Sequence, residues 1–253
     1  MNRLVTIALS HFCEKARWAL ERAGLPFVEE AHPALLHWLA AWRAGGGRTL
    51  PVLITDDGVS LADSTEILRW VDERARLGLY PEGDARREVD ALEDLFDETL
   101  GPHVRRWVYS FVLEDPALTR RLLTLNVSAG ERLAYRLGQP LITAAMRRGL
   151  RISREGGARS RAKVEAVFDR VDALLADGRP FLAGDAFTAA DLTFAALAAP
   201  ALGVDGYGPP GMPGAEVLPA ALREEIAPLQ ARPAGAHAAR LYRDERRRVA
   251  VAT

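Results

Sequence analysis

A single cysteine, Cys13, serves all 253 residues. That excludes an intramolecular disulfide, in keeping with a reducing compartment, and leaves a thiolate-ligated metal centre without donors. Histidine is also scarce, five residues with no cluster among them, so no metal site is expected. Lysine is limited to Lys15 and Lys163 among 33 basic residues. With the richness in alanine, that arginine bias reads as genome composition rather than phosphate binding. An excess of either charge is missing too: the formal net charge is −1, and no global field recruits nucleic acid or an anionic membrane. No apolar run is long and clean enough to span a bilayer. "FTAADLTFAALAAPALGV" contains Asp191 and Pro200 and reads as a buried helix, so no stable membrane insertion is expected. No secretory leader is read at the start, where "LVTIAL" passes straight into a charged helix. The expected location is the cytoplasm.

What is present is an ordinary globular balance, 49% hydrophobic and 26% charged, in a chain long enough for two small domains. Residues 4–9 read as a buried strand. Residues 13–23 read as a helix with Cys13, Ala16, Leu20 and Ala23 on one face, stopped at "GLP". "FVEEA" is a second strand, and "PALLHWLAAWRAGGGR" a short helix dissolving into a glycine-rich loop. Two strand-like runs then flank Asp57-Gly58, a strong hairpin signal, and a helix follows over 64–76. The order βαβ-α-ββα is the thioredoxin-like pattern, an α/β domain placed at residues 1–80. "LGLYPEGDARRE" reads as a linker. Residues 81–253 carry no confident strand and are expected to form an all-α bundle. Its helices are read at 85–100 and 103–113 (bent or broken at Gly101-Pro102), within 116–150, and at 160–177.

Candidate chemistry gathers where a strand delivers the polar turn "SHFC" onto a helix N-terminus, because free backbone N–H groups and the helix dipole make an anion site there. Pro51 opens a strand expected to face that turn. "ADSTEI" starts a further helix at Asp63 and Ser64 and offers a second anion site. Serine and aspartate at such positions also serve as plain helix caps. In "LAGDAFTAADLTFAAL", Thr188 and Asp191 form a capping box, with Phe187 and Leu192 able to staple the entry.

These four pieces, "SHFCEKARWAL", "RTLPVLI", "ADSTEIL" and "LAGDAFTAADLTFAAL", stand in an order that resembles the glutathione transferase superfamily across both domains, in its serine-type cytosolic classes. The resemblance implies a glutathione transferase that passes glutathione, its co-substrate, as thiolate to a small hydrophobic electrophile. It also implies a homodimer, with detoxification as the role. Carried over by position, Ser10 matches the serine whose hydroxyl donates to the glutathione sulfur. Leu50, before Pro51, matches the residue whose backbone pairs with the cysteinyl part. Asp63 matches the acid facing the γ-glutamyl ammonium, and Ser64 the partner of its carboxylate. Phe12, Arg48 and His37 fall near other glutathione contacts, the last two by the glycine carboxylate. His11, His103 and Trp107 are candidates for the acceptor pocket.

The sequence departs from the family pattern at His11, where proline is frequent, and at Ser10, where thiol-transfer classes carry cysteine. Residues 116–160 match no class. Two alternatives stay open: thiol–disulfide or deglutathionylation chemistry through Cys13 as the catalytic group, and a binding protein that keeps the fold without turnover.

Overall fold

The computed structural model describes residues 1–246. Its first unit runs β1 (Asn2–Thr6), α1 (His11–Arg22), β2 (Phe27–Ala31), α2 (His37–Arg43), β3 (Val52–Ile54), β4 (Ser60–Leu61) and α3 (Ser64–Ala75). The four strands lie in the order β2-β1-β3-β4. β1 and β2 are parallel and joined through α1, the crossover that a parallel pair requires. β3 is antiparallel to β1 and to β4, with the hairpin turning at Gly58, whose φ of 86° suits glycine. β1 occupies 2–6 rather than the expected 4–9. The chain leaves the ladder early to turn into α1, and the Ser10 amide closes that turn on the Ile7 carbonyl at 2.9 Å.

The second unit is helical: α4 (Asp84–Leu95), a π-helical turn (Phe96–Leu100), α5 (Gly101–Val112), α6 (Pro116–Leu123), α7 (Ala129–Gly149) and α8 (Arg154–Leu175), then α9 (Ala189–Leu202), α10 (Ala220–Gln230) and α11 (Pro233–Asp244). Among the described residues no helix is long and apolar enough to cross a membrane. The expected break at Gly101-Pro102 is a π-turn that leads into α5. Pro102 falls in the first turn of α5, where its missing N–H costs least. Gly101 has no room for a side chain, since a Cβ there would lie 2.5 Å from the Phe12 ring. α1 and α5 meet at that point.

α9 forms the centre of the bundle and is buried at every position but Pro200, as expected for a helix apolar all round. Its buried Asp191 accepts from the Thr188 amide and hydroxyl, each at 3.0 Å, and from the Leu182 amide at 2.9 Å, so the capping box is structural. Phe194 packs against Phe96 and Phe168 with centroids 5.3 and 5.6 Å apart. α1 packs against α9, and three of its charged residues, Glu14, Lys15 and Arg17, are buried with the rest. Glu14 takes Arg17 on one oxygen at 2.5 Å and Arg246 on the other at 2.7 Å, while Arg17 also reaches Glu29. Sequence periodicity set these charges apart from the face of Cys13, Ala16 and Leu20 and gave them no partners. Fully paired ions inside the protein are what it could not foresee.

Candidate active site

Ser10 stands at the entry to α1 in extended conformation, and its Oγ accepts the Cys13 amide at 3.4 Å. A serine cap uses an oxygen lone pair, so the hydroxyl proton remains free for a second partner. Ser10 is half-buried; Cys13, one turn on, is fully buried beside Ala16 and Leu20 on the inner face of α1. Burial pushes the Cys13 thiol up to about 11, against the smaller opposing effect of the Ser10 hydroxyl. A thiol held protonated and out of reach is no nucleophile at neutral pH. Cys13, the other candidate for catalysis, is thus set apart from Ser10 by its burial on the inner face of α1.

Leu50-Pro51 is a cis peptide, and the β1–β3 register begins at Val52, which leaves the Leu50 backbone outside the ladder. Asp63 caps α3: its Oδ1 accepts the Thr65 amide at 2.8 Å and the Glu66 amide at 3.3 Å while the residue stays exposed. Ser64, the first residue of α3, is buried. A helix N-terminus dressed in this way favours a carboxylate at its tip.

The two helix starts are tied together by Lys15, which sequence reasoning passed over. Its fully buried Nζ meets Thr65 Oγ1 at 2.9 Å, Glu93 Oε1 at 2.8 Å and Asp97 Oδ2 at 2.7 Å. Three donors on a compact ammonium meet three oxygens, an arrangement that a planar guanidinium does not reproduce. Tyr80 Oη closes the cluster on Glu93 at 2.9 Å. Burial raises Asp97 above the usual carboxylate range despite Lys15 beside it. The available signal was that a chain so poor in lysine keeps one here.

The remaining expected residues divide. Buried His37 donates from Nε2 to the Arg48 carbonyl at 3.1 Å, and burial lowers its pKa, so its ring braces the loop before β3. Arg48 is exposed, its guanidinium 5.6 Å from the Trp38 ring centroid. Phe12 is half-buried against Gly101.

His11 is buried, with Nε2 at 3.1 Å from the Gly101 carbonyl; burial, helped by nearby Arg105, pushes it down to about 3. Its ring thus bridges α1 to the start of α5, and it is not among the residues lining the apolar space described below. Trp107 is wholly inside the bundle, its Nε1 donating to Glu225 at 2.8 Å. His103 Nδ1 lies 3.1 Å from Ser160 Oγ on α8. Neither lines the apolar space that includes Leu9, beside the Ser10 turn.

The apolar space that does adjoin this turn is lined by Leu9, Val108, Val112, Leu122, Tyr207 and Met212, with about 50 Å³ free. One wall is the strap between α9 and α10, which bends at positive φ through Gly206, Gly208 and Gly211. Tyr207 Oη donates from the strap to the Leu9 carbonyl at 2.6 Å. Larger clefts lie elsewhere and include no residue of 9–13. A strap without periodicity gave sequence reasoning nothing to place.

A thioredoxin-like unit with a serine-capped turn, continued by an all-helical unit, defines the class. The chain belongs to the glutathione S-transferase superfamily: residues 4–78 match the family's N-terminal domain and residues 154–231 its C-terminal domain. Among solved structures it is similar to a glutathione S-transferase from Rhodospirillum rubrum F11 (23% identity, 97% of this chain and 93% of that one, TM-score 0.53). It is also similar to the glutathione-bound theta class enzyme of Xanthomonas axonopodis pv. citri (19%, 94% and 96%, 0.52). A third likeness is to the beta-etherase LigF of Sphingobium sp. strain SYK-6 (18%, 94% and 98%, 0.56). At these identities the likeness concerns the fold. No curated protein matches the chain.

Proposed function

We propose that the protein is a glutathione transferase in which Ser10 stabilises the glutathione thiolate for attack on a small hydrophobic electrophile. The observation that carries this is the contrast within one helical turn: Ser10 is half-exposed with a hydroxyl proton to give, while Cys13 is sealed in and protonated. A hydrogen bond to a charged acceptor is worth ~1.5–3 kcal/mol, which lowers a thiol pKa by roughly 1–2 units. From about 8.5, that raises the thiolate fraction at pH 7 from about 3% to between a quarter and three quarters. No further base is required of the chain.

The fit to glutathione rests on this chain's own groups. The Leu50 backbone, outside the ladder, would pair with the cysteinyl unit, and Asp63 and Ser64 at the start of α3 would hold the γ-glutamyl end. Arg48, exposed and unpaired with any described carboxylate, would meet the glycine carboxylate. The space under the strap would take the acceptor. The reading places glutathione on residues 1–80 and the acceptor against residues 81–253, in a cytoplasmic homodimer with a detoxifying role.

The test is calorimetry with glutathione. Micromolar-to-millimolar binding is expected, weakened at least tenfold by Asp63→Ala with Ser64→Ala, since buried polar contacts are worth ~1–3 kcal/mol each. Absence of binding by the folded wild-type chain would leave the scaffold reading in its place.

A further inference from the structure

The helical hairpin α6–α7 lies in residues 79–153, which neither family match covers. α7 buries Tyr135, Gln139, Ile142 and Met146 on one face. Its opposite face should be polar, and is not. Leu133, Leu137 and Leu141, at successive four-residue steps, are 57%, 76% and 79% exposed. Side chains at that spacing lie one above the other, so they form a single ridge that projects from the protein.

Charge gathers on the same hairpin. Residues 116–150 hold six arginines and one glutamate, a net +5 within a chain whose total is −1. Glu131 is engaged by His32, and none of the six arginines forms an ion pair with a described carboxylate. Arg120, Arg121, Arg132 and Arg136 line a groove of about 680 Å³ between α6 and α7, with Leu133 at its edge. An apolar ridge thus runs beside a cationic trough.

We propose that α7 docks the protein on an anionic lipid surface, with the three leucines entering the interface and the arginines of the trough meeting headgroup phosphates. A helix lying in the interface with apolar residues inward and arginines at headgroup level is bound by both contributions. Two physical points favour this occupant. The apolar feature is convex, which suits a soft bilayer. Self-association through the same face would set two arginine-rich surfaces against each other. The patch is local, so it coexists with a nearly neutral chain that has no general attraction to membranes.

The experiment sediments the full-length protein with phosphatidylcholine vesicles containing about 30% phosphatidylserine, and with phosphatidylcholine vesicles alone. Binding is expected only to the anionic vesicles, falling roughly tenfold or more between about 0.1 and 0.5 M salt. Leu137→Gln with Leu141→Gln is expected to lower partition roughly tenfold, and so is Arg121→Gln with Arg136→Gln. None of these exposed positions lines the apolar space beside the Ser10 turn, and unchanged urea midpoints would show the variants folded. No vesicle binding, or equal binding to both lipids, overturns the proposal. So does binding that survives the leucine changes, since that signals charge alone. A leucine variant that turns a dimer into a monomer without any lipid effect assigns the ridge to a second copy instead.

Discussion

The phenol of Tyr207 donates to the carbonyl of Leu9 at 2.6 Å, so a residue 198 positions away holds the backbone directly before Ser10. Burial keeps that phenol protonated far above neutral pH, and the bond is therefore constant through the working range. It links the strap over the apolar space to the turn that carries the proposed chemistry.

Tyr207→Phe removes the donor and leaves a carbonyl to find water, a loss of ~1–3 kcal/mol locally. The expected outcome is a KM for the electrophile raised about three- to tenfold, with the KM for glutathione within about twofold of wild type. Steady-state kinetics with each substrate varied in turn distinguishes this from a general loosening, in which both constants rise together.

Glu14 is the hub of the buried ions, with Arg17 on one oxygen and Arg246 on the other. Glu14→Gln leaves two arginines under-compensated inside the protein. A loss of about 3–5 kcal/mol in unfolding free energy is expected, because breaking a buried pair strands a charge. Urea unfolding measures it. A change below about 1 kcal/mol, the range of exposed pairs, would contradict the buried account.

Much of the fold could be read from the sequence because its signals are local. Gly58 marks the hairpin, and β2 lies where "FVEEA" put it, at Phe27–Ala31. Thr188 and Asp191 cap α9, as their spacing required. What escaped was non-local. Lys15 joins Thr65 to Glu93 and Asp97, a juxtaposition that no periodicity encodes. His11 follows a polar serine and reads as a turn residue, yet Gly101 from the other unit covers it. The places of Ser10, Asp63 and Ser64 at the starts of α1 and α3 were legible because helix starts announce themselves by residue type. Tyr207 was not, since its place follows from three glycine turns in an aperiodic strap.

His11 sets an acid sensitivity with a definite sign. Its pKa is depressed from 6.5 to about 3 in the fold, so the native state binds fewer protons than the unfolded chain between those values. Its share of stability is whole above about pH 6.5 and falls as pH drops toward 3, at up to about 1.4 kcal/mol per pH unit. His11→Gln, which cannot titrate, should flatten the dependence of unfolding free energy between pH 6 and 4 by about 1 kcal/mol per unit. Identical slopes in the two proteins would show that His11 is protonated in the fold.

The central claim is the division of roles across one turn, and conjugation measured on Ser10→Ala and Cys13→Ala tests it most directly. Both are assayed at pH 7 with glutathione and an aryl halide, and unfolding midpoints serve as the control for folding. Ser10→Ala is expected to lose tenfold or more in kcat/KM, since ~1.4 kcal/mol of thiolate stabilisation already corresponds to tenfold. Its pH–rate profile should move upward by roughly 1–2 units as the bound thiol returns toward its free pKa. Cys13→Ala is expected to keep conjugation within about twofold, because a fully buried thiol at about 11 takes no part in it. The opposite result, with activity abolished by Cys13→Ala and spared by Ser10→Ala, would contradict the account and make this a thiol enzyme.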